Sequence, residues 1–201
     1  MNNKIWGIIL AAGFSRRMGT AKLLLPFKSK SILGHVIEHG LNSGLSGISV
    51  VVNPDIPDLL TEAMVPGIQK VILNEKASEG MSSSIKLGLL SLPSDTTAAL
   101  FLLGDMPLIT TREIDRVIQD YSKHTELPLI VQSSYKNQKG HPVLFDRRLF
   151  SELHLVDGDE GGKSIIKKYE HQVYYSKMEI NLTPDIDTQT DYQELLREEV
   201  S

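Results

Sequence analysis

The sequence predicts an α/β protein: a three-layer α/β/α sandwich around a Rossmann-like, mainly parallel sheet. Three observations carry this prediction. Short apolar runs, Ile5 to Leu10, Ile48 to Val52, Val71 to Leu73 and Ala98 to Leu103, do not alternate with polar residues, as expected of strands covered on both faces. Segments with apolar residues at helical spacing separate them. The first and fourth runs end in small or turn-forming residues, at the strand edge where open α/β sheets bind ligands.

Each element follows from its residues. Ile5 to Leu10 is too short for a buried helix and breaks at Ala11 to Gly13, so it reads as a central strand. Ser31 caps a first helix with Ile32, Leu33, Val36, Ile37 and Leu41 at helical spacing, stopped by Asn42-Ser43-Gly44. After the second strand, Asn53-Pro54-Asp55 turns the chain into a short helix from Asp58 to Met64, ended by Pro66-Gly67. The third strand leads through Asn74 to Gly80 into a helix from Met81 to Leu92, closed by Pro93. The fourth ends at Gly104-Asp105-Met106-Pro107, and Thr110 with Glu113 forms a capping box for a helix to about Lys123. Leu129 to Gln132 is a fifth strand. The alternation then breaks: a turn at Lys136 to Gly140 precedes a short strand, Pro142 to Phe145, and the sequence allows an antiparallel pair here. A loop from Asp157 to Lys163, a helix from Ser164 to Tyr169 and a strand from Val173 to Tyr175 follow. Thr188 with Asp191 is a second capping box, opening a final helix to about Glu199. No repeat or linker interrupts the chain, so residues 1–201 are expected to form one domain.

Composition narrows the function. A net charge of −4 argues against a broad nucleic-acid surface. The absence of cysteine excludes disulfides, thiolate metal sites and a cysteine nucleophile. No run approaches the ~18 apolar residues of a membrane span. A single lysine precedes Ile5 to Phe14 and Arg16-Arg17 follow it, which is wrong for a signal peptide. The expectation is a soluble, cytoplasmic protein without nucleic-acid or membrane partners.

The loop after the first strand points to an anion. Small residues let backbone N–H groups approach a phosphate, and Arg16, Arg17 and Lys22 suit a polyphosphate. A tight turn and a solvated surface explain each residue singly, but their order favours an anion site. Neither GxGxxG nor GK[ST] is present. Asp105, just beyond a buried strand at the same edge, suits Mg²⁺ on a polyphosphate, or merely a turn. Asp185 and Asp187 point the same way in an extended segment, as a further carboxylate for that metal or as helix caps. Gly80-Met81-Ser82-Ser83-Ser84 opens a helix with more hydroxyls than a cap needs, suited to a base or ribose. His35-Val36-Ile37-Glu38-His39 fits a zinc-peptidase pattern but has no clear third ligand, so it reads as the polar flank of the first helix.

Leu10-Ala11-Ala12-Gly13, followed by Ser15, Arg17-Met18-Gly19 and Lys22, resembles the signature loop of the molybdenum cofactor nucleotidyltransferases, LAAGxSxRMGxxK. Gly104 to Pro107, Gly140-His141-Pro142, Gly158 to Lys163 and Asp185 to Tyr192 follow in the order of that family's motifs, and the resemblance runs from Ile8 to about Leu195. It implies the nucleotide-diphospho-sugar transferase fold. It also implies Mg²⁺-dependent transfer of CMP from CTP to the molybdopterin cofactor, with release of pyrophosphate, in support of an apo molybdenum hydroxylase such as xanthine dehydrogenase. By the same resemblance Lys22, Arg17 and Asp105 carry catalysis. Leu10, Ala11, Ala12, Gly13, Ser15, Lys22, Ser84 and Asp105 contact the nucleotide, and Gly140, His141, Pro142, Asp159 and Lys163 the acceptor. Asp105 and Asp187 hold the metal, with Asp185 open as a further ligand. Ala12 favours CTP, since guanylyltransferase relatives usually read LAGG and its Cβ narrows the space for a purine. Lys163 stands where members usually carry arginine, keeping the charge and losing the bidentate fork. A GTP-using enzyme, a sugar- or polyol-phosphate nucleotidyltransferase and a non-catalytic cofactor carrier remain open.

Overall fold

The structure, a computed structural model, describes residues 3–14, 18–124, 126, 128–182 and 185–198. Its sheet has seven strands in the order β5-β4-β1-β6-β8-β7-β9. β1 (Ile5–Ala11) lies between β4 (Gly47–Val52) and β6 (Ala98–Leu103), parallel to both, and β5 (Lys70–Leu73) extends the parallel half. β1 and β4 are buried almost throughout, as their unbroken apolar character requires.

Alternate residues of β1 feed two cores. Ile5, Ile9 and Ala11 pack with α1 (Ile32–Leu41), α2 (Pro57–Ala63), α4 (Thr111–Lys123) and α7 (Gln189–Glu198). Ile8, with Ala12 one residue past the strand, packs with α3 (Met81–Leu90), α5 (Phe150–Leu153) and α6 (Lys163–Lys168). Period-two alternation in a strand thus produces the three layers. Ser31 caps α1, accepting from Gly34 N–H at 2.8 Å, and the Thr110/Glu113 capping box is formed. At the start of α7, Asp191 accepts from Thr188 N–H at 2.7 Å while its own N–H donates to Thr188 Oγ1 at 3.2 Å.

The antiparallel pair is present. β8 (Lys139–Asp146) runs against both β6 and β7 (Ile130–Ser134), and β9 (Val173–Lys177) closes the edge parallel to β7. β8 begins at Lys139, inside the expected turn, because ladder pairing with Ser134 continues past a register shift between Gln132 and Ser133. A two-stranded hairpin, β2 (Pro26–Phe27) with β3 (Lys30–Ser31), has no counterpart in the sequence reading. Strands of two residues carry no periodicity to detect. The hairpin also explains His35, whose Nε2 lies 2.7 Å from the Phe27 carbonyl oxygen. His39 Nδ1 sits 3.3 Å from Thr111 Oγ1, so the two histidines fasten α1 to separate neighbours.

Candidate active site

The ends of β1 and β6 are registered side by side, Leu10 against Leu103, and Gly104 N–H donates to the Leu10 carbonyl at 3.0 Å. This brings the loop after β1 against the turn carrying Asp105. A Cβ at Gly104 would stand 3.1 Å from that carbonyl oxygen, so the close approach favours glycine. Because β8 is antiparallel to β6, with Phe101 opposite Val143, His141 reaches the same sheet edge. Ile186 N–H donates to the Asp105 carbonyl at 3.4 Å, drawing in the segment at residues 185–187. The result is a cleft of about 540 Å³ over the carboxyl ends of β1 and β6. Its lining includes Leu10, Ala12, Gly13 and Lys22 from the first loop, Gly80, Met81 and Ser84 from the start of α3, and the carboxylates of Asp105, Asp159, Asp185 and Asp187.

Lys22 is the centre of its charge. The side chain is buried on a 3₁₀ turn, Lys22–Leu24, and Nζ donates to Asp105 Oδ2 at 2.7 Å and to Asp187 Oδ1 at 2.9 Å. Burial alone lowers the Lys22 pKa, but the charges and hydrogen bonds of Asp105 and Asp187 outweigh it and raise the value. Asp191 Oδ2 accepts from Asp187 N–H at 2.9 Å, which fixes the backbone that presents Asp187. Asp185 lines the cleft and remains exposed; partial desolvation and the charges of Asp105 and Asp187 push its carboxyl up to about 6, against Lys22 and Lys163. Among the described residues no three acidic or histidine side chains converge into a ready-made metal cage. Two hard carboxylate ligands, left to be completed by phosphate and water, are nevertheless what Mg²⁺ normally takes from a protein.

On the opposite wall Gly80, at φ 95°, admits the loop around Gly158: a Cβ there would meet the Gly158 carbonyl carbon and Asp159 Oδ1 at 2.6 Å each. Asp159 Oδ1 accepts from Met81 N–H at 3.2 Å, so it caps α3 from the cleft. His141 is half-buried with Nδ1 3.4 Å from the Phe101 carbonyl; burial lowers its pKa, partly offset by that bond and by Asp105. Neither His141 nor Lys163 lines the cleft itself: Lys163 is exposed over a separate hollow that it shares with Glu160, Ser164, Lys167 and Lys168.

Not every expected residue enters the cleft wall. Ala11 is buried in the core on the far face of β1, because alternation turns it away from Leu10 and Ala12. Gly140 packs against Leu182, and Pro142 is buried with its carbonyl accepting from Ser133 Oγ at 2.9 Å. Ser15 and Arg17, with Arg16, lie outside the described residues. Asn74 was missed: it reads as a turn residue, yet it is fully buried and donates to Ser83 and Ser84 Oγ at 2.8 Å each. Only its place between a strand end and a serine-rich helix start hinted at this.

A doubly covered sheet with a carboxylate- and lysine-lined cleft over the carboxyl ends of two adjacent parallel strands defines a nucleotidyltransferase-type α/β protein. The chain belongs to the MobA-like NTP transferase family, whose domain profile matches residues 7–173. It is 26% identical over 168 residues, 80% of each chain, to the purine catabolism protein PucB of Bacillus subtilis. To the 2-C-methyl-D-erythritol 4-phosphate cytidylyltransferase of Desulforamulus reducens it is 32% identical over 122 residues, 58% of this chain and 52% of the relative. The match to the bifunctional protein GlmU of Agrobacterium fabrum is 26% identical over 65% of this chain and only 29% of that one. The chain therefore spans about half or less of the length of the last two relatives. Among solved structures, a mycobacterial homolog of Rv0371c from strain JC1 superimposes with a TM-score of 0.86 at 26% identity, covering 100% of this chain and 98% of that one. Rv0371c of Mycobacterium tuberculosis, solved in complex with manganese, shares the fold at a TM-score of 0.80 and 24% identity, over 98% of this chain and all of that one.

Proposed function

We propose that the protein transfers CMP from CTP to the phosphate of the molybdopterin cofactor, releasing pyrophosphate, in support of an apo molybdenum hydroxylase such as xanthine dehydrogenase. Residues 1–201 act in this reading as one nucleotidyltransferase domain. The observation that carries it is Lys22 in the cleft wall, held between Asp105 and Asp187. A lysine and two carboxylates at the carboxyl edge of a parallel sheet match a metal-bound polyphosphate better than an uncharged ligand. The cytidylyltransferase relative supports CTP, the PucB relative supports a place in purine catabolism, and the manganese complex of Rv0371c supports a divalent cation.

The chemistry is an in-line displacement. An oxygen of the acceptor phosphate attacks the α-phosphorus of CTP, the bond to the α–β bridging oxygen breaks, and its electrons leave with pyrophosphate. Asp105 and Asp187 would hold Mg²⁺, which supplies charge neutralisation and orientation to the phosphates. Lys22 shifts from the carboxylates to those phosphates and stabilises the charge that moves onto the leaving group. Arg17 is its expected companion. Leu10, Ala12 and Ser84 bound the base, and the Cβ of Ala12 takes space a purine needs. His141 and Lys163 face the acceptor, with the Lys163 ammonium drawing its phosphate. No protein nucleophile is required.

The test is pyrophosphate release with Mg²⁺ and saturating CTP. Molybdopterin cofactor is expected to support turnover, and GTP in place of CTP, or a sugar or polyol phosphate in place of the cofactor, is not. Equal release with the polyol phosphate would move the assignment toward the chemistry of the erythritol phosphate relative. Cofactor binding without pyrophosphate from any acceptor would make the protein a carrier.

A further inference from the structure

We infer that Asn74 is a positioning residue for base recognition: it commits the Ser84 hydroxyl to donate into the cleft, where it meets the acceptor edge of a pyrimidine, O2 or N3. This rests on the proposal that the cleft takes CTP. Asn74 is fully buried at the end of β5, with its backbone pinned by an N–H bond to the Val52 carbonyl at 2.9 Å and by Ala77 N–H on its own carbonyl at 3.2 Å. Its side-chain Oδ1 accepts from Lys76 N–H at 3.0 Å. A backbone N–H can only donate, so this bond fixes which end of the amide is oxygen. The NH₂ group must then face α3, and its two hydrogens go to Ser83 Oγ and Ser84 Oγ at 2.8 Å each.

The two serines differ in what remains. Ser83 donates to the Gly80 carbonyl at 2.8 Å and does not line the cleft, so both of its roles are used inside the protein. Ser84 lines the cleft, accepts from Asn74, and has no acceptor for its own hydrogen among the described residues. A serine hydroxyl has one hydrogen and two lone pairs; with one lone pair filled by the buried amide and the hydrogen claimed by nothing inside the protein, the hydrogen is the group left to be satisfied from the cleft, which favours an acceptor there. Cytosine O2 and N3 accept that hydrogen, whereas its 4-amino group could use only the remaining lone pair and would leave the hydrogen unpaired. One backbone N–H at Lys76 thus sets, through Asn74, the sign of a contact in the cleft.

Calorimetric titration tests this with two probes, Mg–CTP and Mg–tripolyphosphate, the second lacking a base. Asn74→Ala and Ser84→Ala are each expected to weaken CTP about tenfold, the value of one hydrogen bond, and to leave tripolyphosphate unchanged. Asn74→Asp keeps the shape and the Lys76 bond but turns the donor into an acceptor that claims the Ser84 hydrogen, so it should lose CTP as Ser84→Ala does. Asn74→Ala/Ser84→Ala should bind CTP no more weakly than Ser84→Ala alone. UTP keeps O2 but carries a hydrogen on N3: a parallel loss of UTP affinity assigns the contact to O2, and no loss assigns it to N3. Additive losses, equal weakening of both probes, or wild-type CTP affinity in Asn74→Asp would overturn the inference and leave Asn74 a fastener of α3. Wild-type protein that binds tripolyphosphate but not CTP would instead remove the nucleotide reading itself.

Discussion

Two groups of acidic side chains are put to opposite ends. Around α4 each carboxylate is closed by donors the fold holds in place. Glu113 accepts from Thr110 N–H, Thr110 Oγ1 and the Tyr135 hydroxyl at 2.8 Å each. Asp146 accepts from the Tyr121 hydroxyl at 2.6 Å and from Arg148 N–H and Nε at 2.9 and 2.7 Å. At the cleft, Asp105 and Asp187 instead meet at the end of one long lysine side chain, and Asp185 beside them is pushed up to about 6. In the first group each carboxylate is saturated by several donors; in the second, Asp105 and Asp187 share one lysine ammonium. Charge collected in this way costs stability, and such sites belong to function more than to the scaffold.

The sharpest way to break the contrast is to remove one carboxylate from each group. Asp105→Ala is predicted to lower pyrophosphate release roughly 10³-fold while leaving the melting temperature unchanged or higher. Asp146→Ala leaves the buried Tyr121 hydroxyl unpaired and is predicted to cost about 1–3 kcal/mol in denaturant unfolding, with turnover at 25 °C unaffected. If both variants unfold alike, the two groups are not distinct. A smaller effect concerns Lys22. In Lys22→Met no ammonium competes for Asp105 and Asp187, so without nucleotide Mn²⁺ affinity, read by calorimetry or electron paramagnetic resonance, should rise about tenfold. An unchanged affinity would mean that the lysine does not guard the carboxylates.

The smallest effect is a pH dependence on the scaffold side. Burial dominates at His39 and holds its pKa below the ordinary value of 6.5, against the charge of Glu38, with smaller effects from His35, which adds to the lowering, and Glu113, which opposes it. The unfolded chain then binds more protons than the folded one as pH falls through 6.5, so stability falls on acidification toward the lower folded pKa. His39→Gln should flatten the melting-temperature profile between pH 7.5 and 5.5. An identical slope in wild type and variant would exclude the histidine as its source.

Legibility followed the range of the forces involved. Strands β1, β4 and β6 and helices α1 and α4 were readable because their periodicity and caps lie within a few residues of one another. The β2–β3 hairpin was not, being too short to carry a pattern, and β8 exceeded its expected bounds because cross-strand pairing with β7 extends it. The orientation of Ala11, away from the cleft that Leu10 and Ala12 face, follows from strand alternation and was masked by a contiguous motif.

Residue order along the chain was enough for the layered fold, for the small residues at the end of β1 and for a carboxylate just beyond β6, since local sterics and burial dictate these. The folded chain alone joined Lys22 to carboxylates 83 and 165 positions away, and joined Asn74 to serines on the next helix. Sheet order brings those segments together, and sheet order depends on which long-range burial is most favourable, a quantity no local window contains.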